Sequence, residues 1–274
     1  MKIIMAKRQM FPLASTPLLK ILRRYINYWR NKLLELFFIR HGQSTNNVLM
    51  DQDRENYLYN REVDPDLTEN GFEQTELAAE YLNRPHQNNG FDPQNRDGFG
   101  LTHLYCSLMI RAVKTGTAIS QKTGLPLVAM PEVHETGGMF YAERGEEEPK
   151  LIGQPGPGKS YFNREFPDLI LPEDLSEEGW WNREKEPREE YLDRAQSVID
   201  RLVRGHAGKN HRVGVVMHGG IFARMLTVLF QIQTPKYWFL MNNCGISRVE
   251  ISDDGRPMLI YMNKVDFLPD HLVT

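Results

Sequence analysis

Leu36-Phe37-Phe38-Ile39-Arg40-His41-Gly42 and, more than 170 residues later, Val213-Gly214-Val215-Val216-Met217-His218-Gly219-Gly220 end alike: an apolar run stops at a histidine followed by glycine. Apolar runs of this length closed by glycine read as buried parallel strands, and the segment after each turn reads as loop or helix. In an open α/β sheet, functional groups gather beyond the carboxyl ends of the strands. Both imidazoles are therefore expected on one rim, facing one pocket.

Working outward, the chain alternates between strands and helices. Thr68 reads as the N-cap of a helix through Phe72, Leu77, Ala78, Tyr81 and Leu82 to the breaker Pro85. Residues 86–100, rich in Asn, Gly and Asp, read as a surface loop, and Leu101 to Cys106 as a second strand. Ser107 is expected to cap a helix through Met109, Val113 and Ile119 that Gly124 ends, with a short strand from Leu125 to Met130 after it. Residues 134–188 hold many prolines and glycines, the pair Trp180-Trp181 and acid runs at 146–148 and 177–178, which reads as an inserted lid. Tyr191 to Arg204 and Ile221 to Phe230 read as helices, and Gly245 to Ile251 and Met258 to Met262 as closing strands. The expectation is one three-layer α/β/α domain over residues 35–274 with a mostly parallel central sheet.

Composition narrows the class. A chain of 274 residues with 41% apolar and 10% aromatic side chains can bury a full core, and no apolar run approaches the ~18 residues that span a bilayer. Cys106 and Cys244 give neither a disulfide framework nor a metal spacing, which fits a reducing, cytoplasmic setting. Of 33 basic side chains, eight fall in residues 1–34, where there is no acid, leaving 25 against 36 acids for the rest. That extension is amphipathic around Leu18, Leu22, Ile26 and Trp29. It reads either as a mitochondrial-type presequence or as an accessory helix. The acidic remainder disfavours nucleic acid as a partner.

Arg40-His41-Gly42 with Gln43-Ser44-Thr45-Asn46-Asn47 after it resembles the signature of the histidine phosphatase superfamily, the phosphoglycerate-mutase-like fold. Four further elements follow in that family's order: Leu67-Thr68-x-x-Gly71-x-x-Gln74, Ser107-x-x-x-Arg111-Ala112-x-x-Thr115, Glu135, and Val216-Met217-His218-Gly219. A bare Arg-His-Gly triplet is weak, whereas five ordered elements are specific. The resemblance implies a phosphomonoesterase in which His41 becomes phosphohistidine. It also implies that Arg40, Arg111, His218 and Asn47 hold the phosphoryl group, beside the backbone of Gly219, and that Glu135 serves as the acid.

The residue types suit that chemistry. A neutral imidazole can attack phosphorus in line, while charge spreading over the phosphoryl oxygens must be held. Two arginines present planar forks that lysine cannot match, and the helix opening at 219 offers free N–H groups to an anion. The leaving alkoxide needs a proton from a carboxylic acid, for which Glu132 and Glu143 compete with Glu135. With two arginines and two histidines at the phosphate, neither metal nor cofactor is required. The expected partner is a phosphorylated small molecule, or else a phosphoprotein, with Arg144, Lys159, Arg164 and Arg183 of the lid available for a second anionic group. Mutases of this family return the phosphoryl group to the substrate, but their extended motifs after the first glycine turn are not recognised here. A binding protein without catalysis is opposed by the presence of every proposed site residue.

Each of these side chains also has an ordinary structural explanation: a histidine satisfied at a strand end, an arginine in an ion pair, or Asn47 as a helix cap. Two other patterns compete for the chemistry. Gly153-Gln154-Pro155-Gly156-Pro157-Gly158-Lys159-Ser160 spells a nucleotide phosphate loop, but its two prolines remove cradle N–H groups and no buried strand precedes it. Cys106 with Arg111 is one spacer short of a cysteine-phosphatase loop.

Overall fold

Nine residues, Lys32–Arg40, form β1, which starts four residues before the apolar run that marks it in the sequence. The computed structural model describes residues 32–87, 92–145, 148–233, 237–252 and 254–274, so the roles weighed for the basic extension lie outside the described residues. After β1 come α1 (Thr45–Gln52), α2 (Tyr57–Asn60), α3 (Glu69–Leu82), β2 (His103–Cys106), α4 (Ile110–Thr123) and β3 (Leu127–Ala129). There follow β4 (Phe140–Glu143), β5 (Lys150–Gly153), α5 (Lys159–Glu165), β6 (Leu169–Ile170) and α6 (Glu190–His206). The chain closes with β7 (Arg212–Met217), α7 (Gly219–Leu229), β8 (Ile246–Ser252) and β9 (Pro257–Lys264). Among the described residues no helix is long and apolar enough to cross a membrane.

Seven strands make the main sheet in the order β6-β3-β2-β7-β1-β8-β9. The first five are parallel, and β8 runs antiparallel to both its neighbours. Along β1, Leu36 and Phe38 enter one core and Phe37 and Ile39 the other, all fully buried, which is why the strand reads as an unbroken apolar run. On the first face α6 and α7 pack Val198, Leu202, Phe222 and Met225; on the second α3 and α4 pack Leu82, Val113 and Ile119. The result is a three-layer α/β/α sandwich. Because β1 pairs β7 with Arg40 opposite Met217, the two following residues, His41 and His218, leave adjacent strands at the same level.

Three segments differ from their sequence reading. The 86–100 loop is no mere surface loop: Phe99 is fully buried against Phe37, and buried Asn95 accepts from Arg248 Nη1 of β8 at 3.0 Å. One phenylalanine amid polar residues carries too little periodicity to announce this. Of residues 134–188, only β4 and β5 stand apart as a hairpin, whereas α5 places Phe162 in the core and β6 adds an edge strand to β3. Ser107 does not cap α4. Its Oγ accepts from Met109 N at 3.2 Å, and the helix begins at Ile110, whose N–H is taken by the Asp64 carboxylate at 3.1 Å.

Candidate active site

His41 lies at the end of β1, nearly sealed from solvent. Its Nδ1–H donates to the carbonyl of Gly42 at 2.7 Å, so the neutral ring carries its lone pair on Nε2, which accepts from Arg111 Nε at 3.1 Å. His218 stands 5.0 Å away, centroid to centroid, as the N-cap of α7. Arg40 Nη1 donates to Met241 O at 2.5 Å, and Arg111, in the first turn of α4, faces Asp64 at 3.5 Å. Four buried nitrogens around this group have no hydrogen-bond partner among the described residues: Arg40 Nε, Arg111 Nη1, and both ring nitrogens of His218. Folded proteins seldom leave buried polar nitrogens unpaired, and here they cluster around the His41 ring.

Glu135 sits at the N-terminus of α7. Its Oε2 accepts from Gly220 N at 3.0 Å, and its Oε1 from Ile221 N at 3.2 Å and Thr136 N at 2.7 Å. The sequence reading assigned those helix N–H groups to the phosphoryl oxygens; in the structure two of them hold Glu135 instead. A Cβ on Gly220 would overlap Glu135 Oε1, so a larger residue here would displace the carboxylate from its place. At Gly219 the nearest atom to a Cβ would be Arg40 Nε, 3.9 Å away, which leaves its backbone open to close approach from the Arg40 side. The loop carrying Glu135 is clamped by Arg194 of α6, which pairs with buried Glu186 and donates to the carbonyls of Glu132 and His134. Glu132 pairs with Arg201, and exposed Glu143 accepts from Tyr141 OH, so neither joins the site.

Asn47 plays its capping role and remains in the pocket wall. Its Oδ1 accepts from Ser44 N, Ser44 Oγ and Asn243 Nδ2, at 3.0, 3.0 and 3.1 Å, which leaves its NH2 as the end available to a ligand. The other motif residues buttress the His41 turn. Gln74 accepts from Gln43 N at 2.7 Å, and Thr115 accepts from Gly42 N at 3.1 Å while donating to Arg111 O at 2.8 Å. A Cβ on Gly42 would stand 2.5 Å from Gly71 O, and one on Gly71 would overlap Gln43 O, so the close backbone packing of these two segments needs both glycines.

Both competing patterns fail on geometry. Ser160 N, at the start of α5, already donates to Glu177 at 2.9 Å, which puts a negative charge where a nucleotide phosphate would lie. Cys106 is fully buried, and burial pushes its thiol far above the usual range. The lid cations are occupied too: Arg164 pairs with Glu165, Arg183 with Glu190, Lys159 donates to Glu173 O, and Arg144 covers the Tyr59 ring. Sequence reasoning missed Arg61, whose guanidinium stacks 4.2 Å from the Phe140 ring centroid with its Nε buried and unpartnered among the described residues. It also missed Asp64, Asn243, Arg194 and Glu186. Trp181 packs as a plug with Met109 and Met139, edge-on to His134.

Burial and then the charges of Arg111 and Arg40 hold His41 well below the usual imidazole range; burial and Arg111 do the same to His218. Burial and Arg194 bring His134 down to about 3. All three are neutral in the folded protein at pH 7, whereas unfolded histidines protonate below about pH 6.5. There the unfolded state binds more protons, so stability is complete above that pH and declines as pH falls. Of the three, His134, with its folded value near 3, should contribute about 1.4 kcal/mol per pH unit between about pH 6 and 4. His134→Asn should remove that share of the slope. Urea unfolding at a series of pH values measures the slope, and one that no histidine substitution alters contradicts the account.

Two neighbouring strand-end histidines, buried Arg111 and half-buried Arg40 thus gather at the carboxyl end of the parallel strands. The sequence profile of the histidine phosphatase superfamily (branch 1) matches residues 36–264, and the chain belongs to that superfamily. Among solved structures, mycobacterial glucosyl-3-phosphoglycerate phosphatase in complex with VO3 is similar in fold, with 18% identity and a TM-score of 0.52 over 84% of this chain and 99% of that one. A candidate α-ribazole-5′-P phosphatase from Escherichia coli K-12 gives 18% identity and a TM-score of 0.53 over 85% and 97% of the two chains. A search of curated protein sequences gives no match.

Proposed function

We propose that the protein is a metal-independent phosphomonoesterase working through a phosphohistidine on His41 Nε2. The observation that carries this reading is the gathering beside His41 of Arg111, whose Nε reaches Nε2, with His218 and Arg40, whose buried ring nitrogens and Nε lack hydrogen-bond partners among the described residues. Nε2 attacks phosphorus, the ester P–O bond breaks, and Glu135 supplies the proton to the departing oxygen. Arg111 Nε, released from His41, joins Arg40, His218 and the Asn47 amide in holding the phosphoryl oxygens as charge develops. Glu135 then takes a proton from water, which attacks the phosphohistidine and frees inorganic phosphate. Similar folds carry enzymes named for glucosyl-3-phosphoglycerate and α-ribazole-5′-P, which supports a phosphorylated small molecule as substrate.

Hydrolysis of p-nitrophenyl phosphate tests the reading. Because guanidinium and imidazole groups supply the positive charge, activity should persist in EDTA and fall to vanadate, which mimics the transferred group. An absolute need for added magnesium counts against it.

A further inference from the structure

Three of the eight histidines meet at the amino ends of β2 and β7, the opposite end of the strands from His41. His103 opens β2, His206 closes α6, and His211 immediately precedes β7. His103 lies opposite Val213 in the β2–β7 pairing, which brings the first and third together. One ring nitrogen from each lies within 4.8 Å of the others, and the centroids of His103 and His211 are 4.1 Å apart. His206 Nδ1 and His211 Nδ1 face each other at 2.9 Å. Two nitrogens that close cannot both carry a proton, so a lone pair always points into the cluster.

The outer nitrogens are held as well. His206 Nε2 contacts Tyr105 OH at 2.9 Å, and His103 Nδ1 contacts Thr102 Oγ1 at 2.9 Å. Metal-binding imidazoles characteristically give their second nitrogen to such an oxygen, which fixes ring orientation and leaves the other lone pair for the ion. A tetrahedral zinc with Zn–N bonds of about 2.0–2.1 Å sets its nitrogens about 3.4 Å apart. That spacing falls between the closest pair here and the widest, so small ring rotations close the site. Among the described residues no carboxylate or thiol joins the group, and an all-imidazole set suits late first-row ions rather than magnesium or calcium.

We propose that His103, His206 and His211 bind a late first-row divalent ion, zinc foremost, at a site separate from the phosphate pocket. Seven residues of extended chain divide His211 from His218, about 23 Å, so the ion takes no part in phosphoryl transfer. It ties the start of β2, the end of α6 and the start of β7 into one cross-link, with the fourth position open to solvent.

The test uses the full chain, stripped with chelator and dialysed against micromolar zinc chloride, with bound metal measured by atomic absorption. About one equivalent should remain, the melting temperature should rise, and cobalt substituted for zinc should give the visible bands of a low-coordinate nitrogen site. His103→Gln and His211→Asn lie at half-buried positions, and each should weaken binding at least about tenfold while leaving aryl phosphate hydrolysis within about twofold. The variant with wild-type circular dichroism decides if one of them folds poorly. Less than about a fifth of an equivalent on the wild type overturns the proposal. So does a full equivalent on the double variant, since that metal would then sit elsewhere.

Discussion

His41→Ala abolishes turnover and the phosphoenzyme together. With substrate in excess and an alkaline quench, the wild type should carry a phosphoramidate on His41 that dissolves on acidification, and the variant should carry none. The loss in kcat should be on the order of 10⁴-fold or more, because a missing nucleophile is not replaced by binding groups that remain. The magnitude follows from the tautomer. Gly42 O fixes the proton on Nδ1, and burial together with Arg111 and Arg40 keeps Nε2 unprotonated, so the ring is a poised nucleophile before substrate arrives. His41→Asn tests the same point with a smaller change in volume and should be equally inactive. Phosphate recovered on Cys106, or wild-type turnover in His41→Ala, rejects the mechanism. Cys106 is a weak rival, since its thiol lies fully buried and burial opposes the thiolate.

Much of the fold was legible because its signals are local. A strand buried on both faces is apolar over most of its length, and β1 from Leu36 to Ile39 and β7 from Val213 to Met217 follow this, while buried Glu35 just before the run is met by Arg212 and Arg248. The helix that Thr68 opens announces itself through a side chain that accepts from Gly71 N at 3.0 Å. The motif residues were legible as letters but not as causes. Gln74 and Thr115 matter because each accepts a backbone N–H from the turn that carries His41, and Gly42 and Gly71 because their backbones touch.

Residues whose partners are chosen by tertiary packing were not legible. Asp64 caps α4 and faces Arg111 from 47 positions upstream, with burial raising its carboxyl to about 6 against the pull of Arg111. Arg194 secures the Glu135 loop from α6 across 60 residues. Neither distance leaves a periodic trace. The same holds for β6, two residues whose only evidence as a strand is its neighbour β3. It holds again for His103, His206 and His211: the last two lie five residues apart, but the first joins them only once β2 pairs with β7.

Glu135→Gln should separate proton donation from phosphate binding. If Glu135 protonates the leaving oxygen, the substitution should slow phosphorylation by alkyl phosphates about 10²–10⁴-fold, because an alkoxide departs poorly without a proton. An activated aryl phosphate should lose far less, since its phenolate leaves unaided. Arg111→Ala should slow both alike, because charge builds on the phosphoryl oxygens whatever departs. Single-turnover rates of the phosphorylation step are the measurement, as a shared slow dephosphorylation would hide the difference. The structure adds a control that the sequence did not suggest. Both carboxylate oxygens accept from the start of α7, so a glutamine must turn its NH2 toward a backbone donor, Gly220 N or Ile221 N. That mismatch loosens the loop and lowers rates for every substrate by one factor, which leaves the alkyl-to-aryl ratio untouched. The ratio, and not the absolute rate, is therefore the test. A ratio unchanged from wild type removes Glu135 as the acid, and since Glu132 is engaged by Arg201 and Glu143 stands in the hairpin, the next carboxyl to test is Asp64, which faces Arg111 and which burial raises to about 6.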